Sequence, residues 1–237
     1  ECSELVSRLQ QAPCRMIGCV WDEEKKMPLA HEAAVAKNIR VHRDFLQFSY
    51  HEVPYSVPLI GRFQIINVLM AIVVAEHLGM KRDQIVKAVS KLAPPEKTMV
   101  LKNMSRGFVI DDSYNVNPTG LRSALLHLQH FDEHQKVIFF PGILELGDHS
   151  TAVHEELGEE VGKAVDYAFF FDSHFSEPLI RGALRAGLTR DRIFQAETQE
   201  AMKQQVEELF TKNPKKSWVI LFESRGTELV QQTLLKS

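Results

Sequence analysis

Two rhythms of hydrophobic and polar positions run along the chain, and one gives way to the other near residue 95. At the start, residues 3–11 place Leu5, Val6 and Leu9 at helical spacing, and residues 16–20 form a compact apolar strand. Residues 22–32 are charged and loop-like. From 36 to 57 the period shortens to two, predicting strands over 38–42, 45–50 and 53–57. Phe45, Gln47 and Ser49 alternate there with Leu46, Phe48 and Tyr50, which suits a meander with one wet face. Pro54 and Pro58 demote the last strand to an edge or a connection. Gly61 opens the next element, a helix over 65–78 that is apolar nearly all round and is therefore expected to be buried on every side. Gly79 stops it. Asp83 begins a second helix with Ile85, Val86, Val89 and Leu92 inward, and Pro94-Pro95 ends it. This double proline is the strongest linker signal, so domains are expected over 1–95 and 96–237.

Beyond the prolines, short apolar strands alternate with helices. Strands are predicted over 99–103, 108–110, 137–140, 167–171, 193–195 and 218–222. Helices are predicted from Asn117, over 151–164 and 177–186, from Thr198, and from Gly226 onward. That order means an α/β fold: a Rossmann-like, mostly parallel sheet with helices on both faces. Its central feature is the run from Val109 to Pro118. Val109 and Ile110 finish a strand, Asn117 suits an N-cap, Pro118 fits the first helical position, and Leu121, Ala124, Leu125, Leu128 and Phe131 follow at helical spacing. Between strand and helix stand Asp111, Asp112, Ser113 and Asn115. Open α/β sheets bind ligands where strand carboxyl ends meet helix N-termini, so this junction is the first candidate site.

Composition narrows the function classes. With 237 residues, 44% of them hydrophobic and 25% charged, the chain has the make-up of an ordinary globular protein. A net charge of -3 gives no electrostatic footprint for nucleic acid or an anionic membrane surface. No apolar run is long enough to span a bilayer, so membrane insertion is not expected. Cys2, Cys14 and Cys19 are odd in number and show no metal-ligand spacing, which points to a reducing cytoplasm. The first residue is Glu1 rather than Met, with a helix-like segment directly after it, which suggests a piece of something longer. His127, His130 and His134 have a spacing that can hold a metal. No carboxylate or cysteine completes the set, and histidine near a helix C-terminus is already favoured by the helix dipole.

Two common phosphate-binding signatures are absent from the sequence. No G-x-x-x-x-G-K-[ST] occurs; the run from Gly158 to Gly162-Lys163-Ala164 is one residue short and sits mid-helix. No G-x-G-x-x-G follows a strand.

The decapeptide from Val109 to Pro118 resembles the D-D-S-Y-N-x-N-P signature of the C-terminal domain of Mur ligases, most like those that add D-alanyl-D-alanine to a UDP-muramoyl tripeptide. Four further stretches match in order. Gly61-Arg62-Phe63-Gln64-Ile65-Ile66-Asn67 resembles G-R-H-N-x-x-N, with Asn67 kept for the base and Phe63 and Gln64 replacing His and Asn. Pro95-Glu96-Lys97-Thr98 stands where the family has Gly-Arg, so Lys97 takes the nucleotide-facing place as a point charge. Pro141-Gly142-Ile143-Leu144-Glu145-Leu146-Gly147 resembles G-D-M-x-E-L-G, and His154 matches a histidine in the following helix. Phe222-Glu223-Ser224-Arg225-Gly226 resembles K-G-S-R-G, keeping Ser224 and Arg225.

The resemblance implies the end of a central ATPase domain over 1–95, lacking its phosphate loop, and a Mur ligase C-terminal domain over 96–237. It implies ATP and magnesium as cofactors, the metal held through an upstream part. It also implies a UDP-muramoyl-peptide-type substrate and an amino acid or dipeptide as partners, joined by an amide bond in cytoplasmic peptidoglycan precursor synthesis. Asn67, Lys97, Asp112, Asn115 and Asn117 become the nucleotide-side candidates, with Asp112 on the ribose hydroxyls. Glu145, Ser224 and Arg225 become the substrate-side candidates, Arg225 pairing a carboxylate. Two rivals stand beside this reading. One is a degenerate Mur-ligase-like binding or partner module, favoured by Phe63, Lys97 and Phe222. The other is an unrelated nucleotide-binding domain with a small β-rich neighbour.

Overall fold

The structure is a computed structural model that describes residues 17–21, 32–144, 146–171 and 174–236. The expected helix over 3–11 and the loop over 22–31 lie outside the described residues. The chain divides into two compact units, Glu1–Ala93 and Pro94–Ser237.

In the first unit, β1 (Ile17–Trp21), β2 (Glu32–Val41), β3 (Leu46–Tyr50) and β4 (Val53–Val57) form one sheet in sequence order. β1 pairs with β2 in parallel, and the other two contacts are antiparallel. β4 is an edge strand, the position in which Pro54 removes no inner ladder hydrogen bond. Leu46, Phe48 and Tyr50 turn inward with Tyr55 and Val57, against Ile65, Leu69 and Ile72 of α1 (Gln64–His77) and Ile85 and Val89 of α2 (Arg82–Val89).

Two expectations are overturned here. β2 begins at Glu32, well before residue 38, because Ala34 and Ala36 alternate into the core beneath α1; alanine favours helices in isolation, and burial between neighbouring strands outweighs that preference. Nor is α1 buried all round within the described residues. Gln64, Ile65, Val68, Leu69, Ile72 and Val73 face the sheet, whereas Met70 and Val74 are 46% and 57% exposed.

The second unit is a six-stranded sheet of order β5-β6-β10-β7-β8-β9, built from β5 (Val100–Met104), β6 (Gly107–Asp112), β7 (Gln135–Phe140), β8 (Tyr167–Phe170), β9 (Ile193–Gln195) and β10 (Trp218–Glu223). Only the β5–β6 pairing is antiparallel. From β6 the chain steps over one strand position to β7 and then moves outward through β8 to β9. α3 (Pro118–Leu128), α4 (Ser150–Ala164) and α5 (Ser176–Arg185) make these crossings on one face. The return to β10 reverses direction. The preference for right-handed crossovers then sends α6 (Gln199–Lys212) to the other face, where the closing helix α7 (Glu228–Lys236) joins it. Trp218, Ile220 and Phe222 pack with Met202, Val206, Leu209, Val230 and Leu234 on that second face. The reversal places β10, whose following loop turns one way, between β6 and β7, whose loops turn the other. That is the topological switch point at which a crevice opens at the strand carboxyl ends.

The run from Gly158 to Lys163 now has a packing explanation. α4 and α5 cross so closely that a Cβ on Gly182 would lie 2.0 Å from the Glu155 carbonyl oxygen, and one on Gly158 would lie 2.2 Å from that of Leu179. Arg181 and Arg185 tie the same crossing to Glu155 and Glu159. Both clashes are with backbone, which cannot swing aside. Gly182→Ala is therefore expected to cost about 1–3 kcal/mol by overpacking. A urea melt that shows no lower midpoint would contradict this account of the crossing.

Candidate functional site

The candidate site grows from the end of β6. The strand runs two residues further than its apolar pattern predicts, so Asp111 and Asp112 are ladder residues paired with Phe222 and Glu223 of β10. Successive residues point to opposite faces, which gives the two aspartates different surroundings. Asp111 is 2% exposed and fully committed to the fold. Its Oδ2 accepts from Lys102 Nζ at 2.7 Å, and its Oδ1 accepts from the Ser113 hydroxyl at 2.5 Å. Burial alone would raise its pKa; the hydrogen bonds from Lys102 and Ser113 outweigh that and hold it below the ordinary value. Asp111 thus has the structural role that its sequence context did not show.

Asp112 is half-buried. Its Oδ1 accepts from the Met99 amide at 3.0 Å. Burial is the largest influence on it and, with the Asp111 charge, pushes its pKa up to about 6 despite that hydrogen bond. Its register partner Glu223 is 1% exposed, and neither carboxyl oxygen has a hydrogen-bond partner among the described residues. Burial first, and the Asp112 charge second, raise the Glu223 pKa well above the ordinary value. Sequence reading placed the end of β10 at Phe222 and missed this group.

Directly beyond these carboxyls lies an open cleft of about 1080 Å³, lined by the loops that follow β6, β7, β8, β9 and β10. Asn115 and Asn117 come from the first loop, Gly142 to Leu144 and Leu146 from the second, and Phe171, His174 and Phe175 from the third. Glu197 and then Ser224 with Arg225 complete it. Polar groups of both charge signs on apolar walls make a site for a polar, charged small molecule. Asn117 is the N-cap of α3: its Oδ1 accepts from the Gly120 amide at 2.9 Å, which leaves its amide nitrogen for a ligand. Ser224 stands at φ +64°, and its amide donates to the Asp112 carbonyl at 3.3 Å. Arg225 is exposed, donates from Nε to the Tyr114 carbonyl at 3.4 Å, and lies 5.9 Å from the centre of the Tyr114 ring.

The floor of the cleft is fixed by His154. The ring, 0% exposed, accepts the Ile143 N–H at Nε2 (2.9 Å), which leaves Nδ1 to donate to the Ser150 carbonyl (2.7 Å). It stacks on Phe175 at 4.4 Å. Gly142 sits at φ +111°, and a Cβ there would meet Phe175 at 2.6 Å. The glycine that replaces the aspartate of the resembled motif therefore leaves room for this ring.

Not every predicted residue converges. Asn67 belongs to the first unit and is exposed on α1, where its Nδ2 donates to Gln64 Oε1 at 3.0 Å; the expectation of a buried amide is overturned. Lys97 is exposed at φ +59°, with Nζ 3.7 Å from Glu228 Oε1, and does not line the cleft. Glu145 lies outside the described residues. Phe171, His174 and Glu197 had no sequence signal, because only tertiary structure brings the ends of β8 and β9 to the others. Among the described residues no group of three or more His, Cys, Asp or Glu converges to hold a metal, the three histidines near the end of α3 included.

The sequence profile of the Mur ligase, glutamate ligase domain matches residues 98–224, just over half of the chain. The chain belongs to the Mur ligase family. A Bacillus subtilis (strain 168) UDP-N-acetylmuramoyl-tripeptide–D-alanyl-D-alanine ligase is 26% identical over 179 residues, covering 74% of this chain and 38% of the relative. A Staphylococcus epidermidis UDP-N-acetylmuramoyl-L-alanyl-D-glutamate–L-lysine ligase is 27% identical over 147 residues, covering 60% of this chain and 29% of its own. In fold, the chain is similar to a crystal structure of MurF from Acinetobacter baumannii, with a TM-score of 0.78 at 22% identity over 93% of this chain and 52% of that one. A MurF ligase from Thermotoga maritima, solved in complex with ADP, gives 0.70 at 19% identity over 96% of this chain and 55% of that one. This Mur ligase chain thus spans about two fifths or less of these two curated relatives' length. Among the described residues no helix is long and apolar enough to cross a membrane.

Proposed function

We propose that this chain is the nucleotide- and amine-binding part of an ATP-dependent ligase that joins a UDP-muramoyl-peptide carboxylate to an amino acid or dipeptide in the cytoplasm. In this reading residues 1–95 are the end of the central ATPase domain, and 96–237 are the C-terminal domain. The observation that carries it is the family match over 98–224, which takes in β5 through Ser224 and so nearly the whole cleft rim. In the reaction, ATP phosphorylates the substrate carboxylate with release of ADP, and the amine then displaces phosphate from the acyl phosphate to form the amide.

The residues of the chain bind and orient. Asp112, which is not among the residues lining the cleft, accepts from the ribose hydroxyls, Asn115 and the amide nitrogen of Asn117 lie on the nucleotide side, and Asn67 and Lys97 are the remaining nucleotide-side candidates. Arg225, with Ser224, holds the carboxylate of the incoming amino acid or dipeptide, a pairing suited to the planar guanidinium fork. Glu145 belongs to the same substrate side. Magnesium belongs to the same reading; among the described residues no group of three or more His, Cys, Asp or Glu converges to hold it.

The test uses the protein encoded by the complete gene. Arg225→Ala is expected to raise the KM for the amine substrate roughly tenfold to a hundredfold, the loss of a charge-assisted hydrogen bond of about 1.5–3 kcal/mol. The KM for ATP should stay nearly unchanged. A larger effect on ATP would reverse the site map, and a complete lack of ligase turnover in the parent protein would favour the partner-module reading.

A further inference from the structure

The carboxyl of Glu223 is buried at the site, has no hydrogen-bond partner among the described residues, and is left idle by the proposed function. β6 and β10 run parallel and in register, with Glu223 opposite Asp112. Trp218, Ile220 and Phe222 face α6 and α7, so Glu223 points to the other face. On β6, Val109 packs with that same α6 and α7 cluster, so Asp111 shares its face and Asp112 shares the face of Glu223. Strands in a ladder are about 4.8 Å apart, close enough for an aspartate and a glutamate side chain to meet.

Among the described residues, the charged groups around the pair are engaged elsewhere. Asp111 is on the far side of β6, already tied to Lys102 of β5. Beside β10 on the other side, β7 ends in Phe139 and Phe140. The first turn of α3 has no acidic residue, and Arg122 of the same helix is paired with Glu156 and Glu160 of α4. Arg225 is turned to the Tyr114 carbonyl, and Lys97 to Glu228 of α7. His154 is engaged by Ile143 and Ser150.

We propose that Glu223 and Asp112 form a one-proton carboxyl couple, in which Glu223 carries the proton and donates its O–H to the Asp112 carboxylate, making Glu223 the positioning residue for the nucleotide-binding acceptor. A carboxylic acid is the only form of Glu223 that supplies a donor, and Asp112 is its charged register partner on the same face. Two neighbouring carboxylates in a buried setting do not both ionise at neutral pH. The direction of both pKa shifts agrees with this, Asp112 rising to about 6 and Glu223 lying well above its ordinary value. The consequence for the site rests on the reading that Asp112 meets a nucleotide: Asp112 is a charged acceptor only in a window between the two ionisations. Below it Asp112 is neutral, and above it the second charge on Glu223 repels the first and removes the donor that orients it.

The couple is tested by carbon-13 NMR titration of the aspartate and glutamate carboxyls in the 237-residue chain. In the unsubstituted chain one glutamate carboxyl should stay protonated through neutral pH, and the Asp112 carboxyl should show two steps. Glu223→Gln keeps a donor without an ionisation, so the second step should vanish while the first stays in place. Glu223→Leu removes the donor, so the first step should move up by about one pH unit, tenfold in proton affinity. If the leucine variant fails to fold, the glutamine variant still decides. An ionised Glu223 at neutral pH, a single Asp112 step in the unsubstituted chain, or a second step surviving in Glu223→Gln would each overturn the couple. ADP titrations across pH supply the functional arm. ADP affinity should fall at both ends of the window, and in Glu223→Gln only at the acid end. If ADP binds at no pH, the nucleotide reading fails, and the NMR titration still decides on the couple.

Discussion

Raising the pH through 6 is expected to destabilise the second unit, with the Asp112 and Glu223 pair as the cause. The folded state holds the Asp112 proton more tightly than the unfolded chain does, since its pKa is raised from 3.8 to about 6. For a raised carboxyl the contribution is fully present below the unfolded value and is lost as pH rises through the folded one. The loss is on the order of 3 kcal/mol across that interval, from about 1.4 kcal/mol for each pH unit of difference. Glu223, raised in the same sense, adds to the decline. Asp111 works in the opposite direction: its lowered pKa means stability that is present at neutral pH and lost in acid. The result is a stability maximum on the acid side of neutrality. Thermal melts of the chain and of Glu223→Gln across pH 5 to 9 would check this, because the glutamine variant should gain over the parent chain as pH rises. If the two curves run parallel at all pH values, the buried carboxyl is not the source of the slope.

The destabilised pair sits where the sequence was most informative, and the reason bears on what sequence can show. The run from Val109 to Pro118 advertised itself through apolar strand residues, a capping asparagine and a proline at the first helical position, all of which are local signals. The structure keeps that junction, with Asn117 capping α3 as expected. The local pattern could not show that the strand absorbs both aspartates, because a polar residue in a ladder is tolerated only through partners far away in sequence. For Asp111 one such partner is Lys102 on the preceding strand; for Asp112 it is the Met99 amide. Glu223 is harder still, since its register opposite Asp112 is a contact between residues 112 and 223 that no short pattern encodes. The same limit applies to the far wall of the cleft, where His174 and Glu197 arrive from separate crossovers. In the first unit the helix over 64–77 misled for another reason. Its composition is apolar on all sides, but only one side faces the sheet it packs on, and Met70 and Val74 remain exposed.

Asp112→Ala is expected to raise the KM for ATP in the complete protein roughly tenfold to a hundredfold. A hydrogen bond from a hydroxyl to a charged acceptor contributes about 1.5–3 kcal/mol, and the alanine leaves the ribose with no partner at this point. Asp112→Asn should fall between the two, since a neutral acceptor contributes about 0.5–1.5 kcal/mol. The asparagine also keeps an oxygen for the Met99 amide, so the backbone at the start of β5 stays in place. Stability should move the other way from affinity. Without the carboxylate, the asparagine variant escapes the penalty that Asp112 incurs above pH 6, and it should melt higher than the parent chain in that range. Loss of nucleotide affinity together with a gain in stability is the signature of a charge retained for binding at the expense of the fold. If Asp112→Ala leaves the KM for ATP unchanged, the ribose role is wrong. If Asp112→Asn lowers both affinity and melting temperature, Asp112 acts through the fold rather than by contact with the nucleotide.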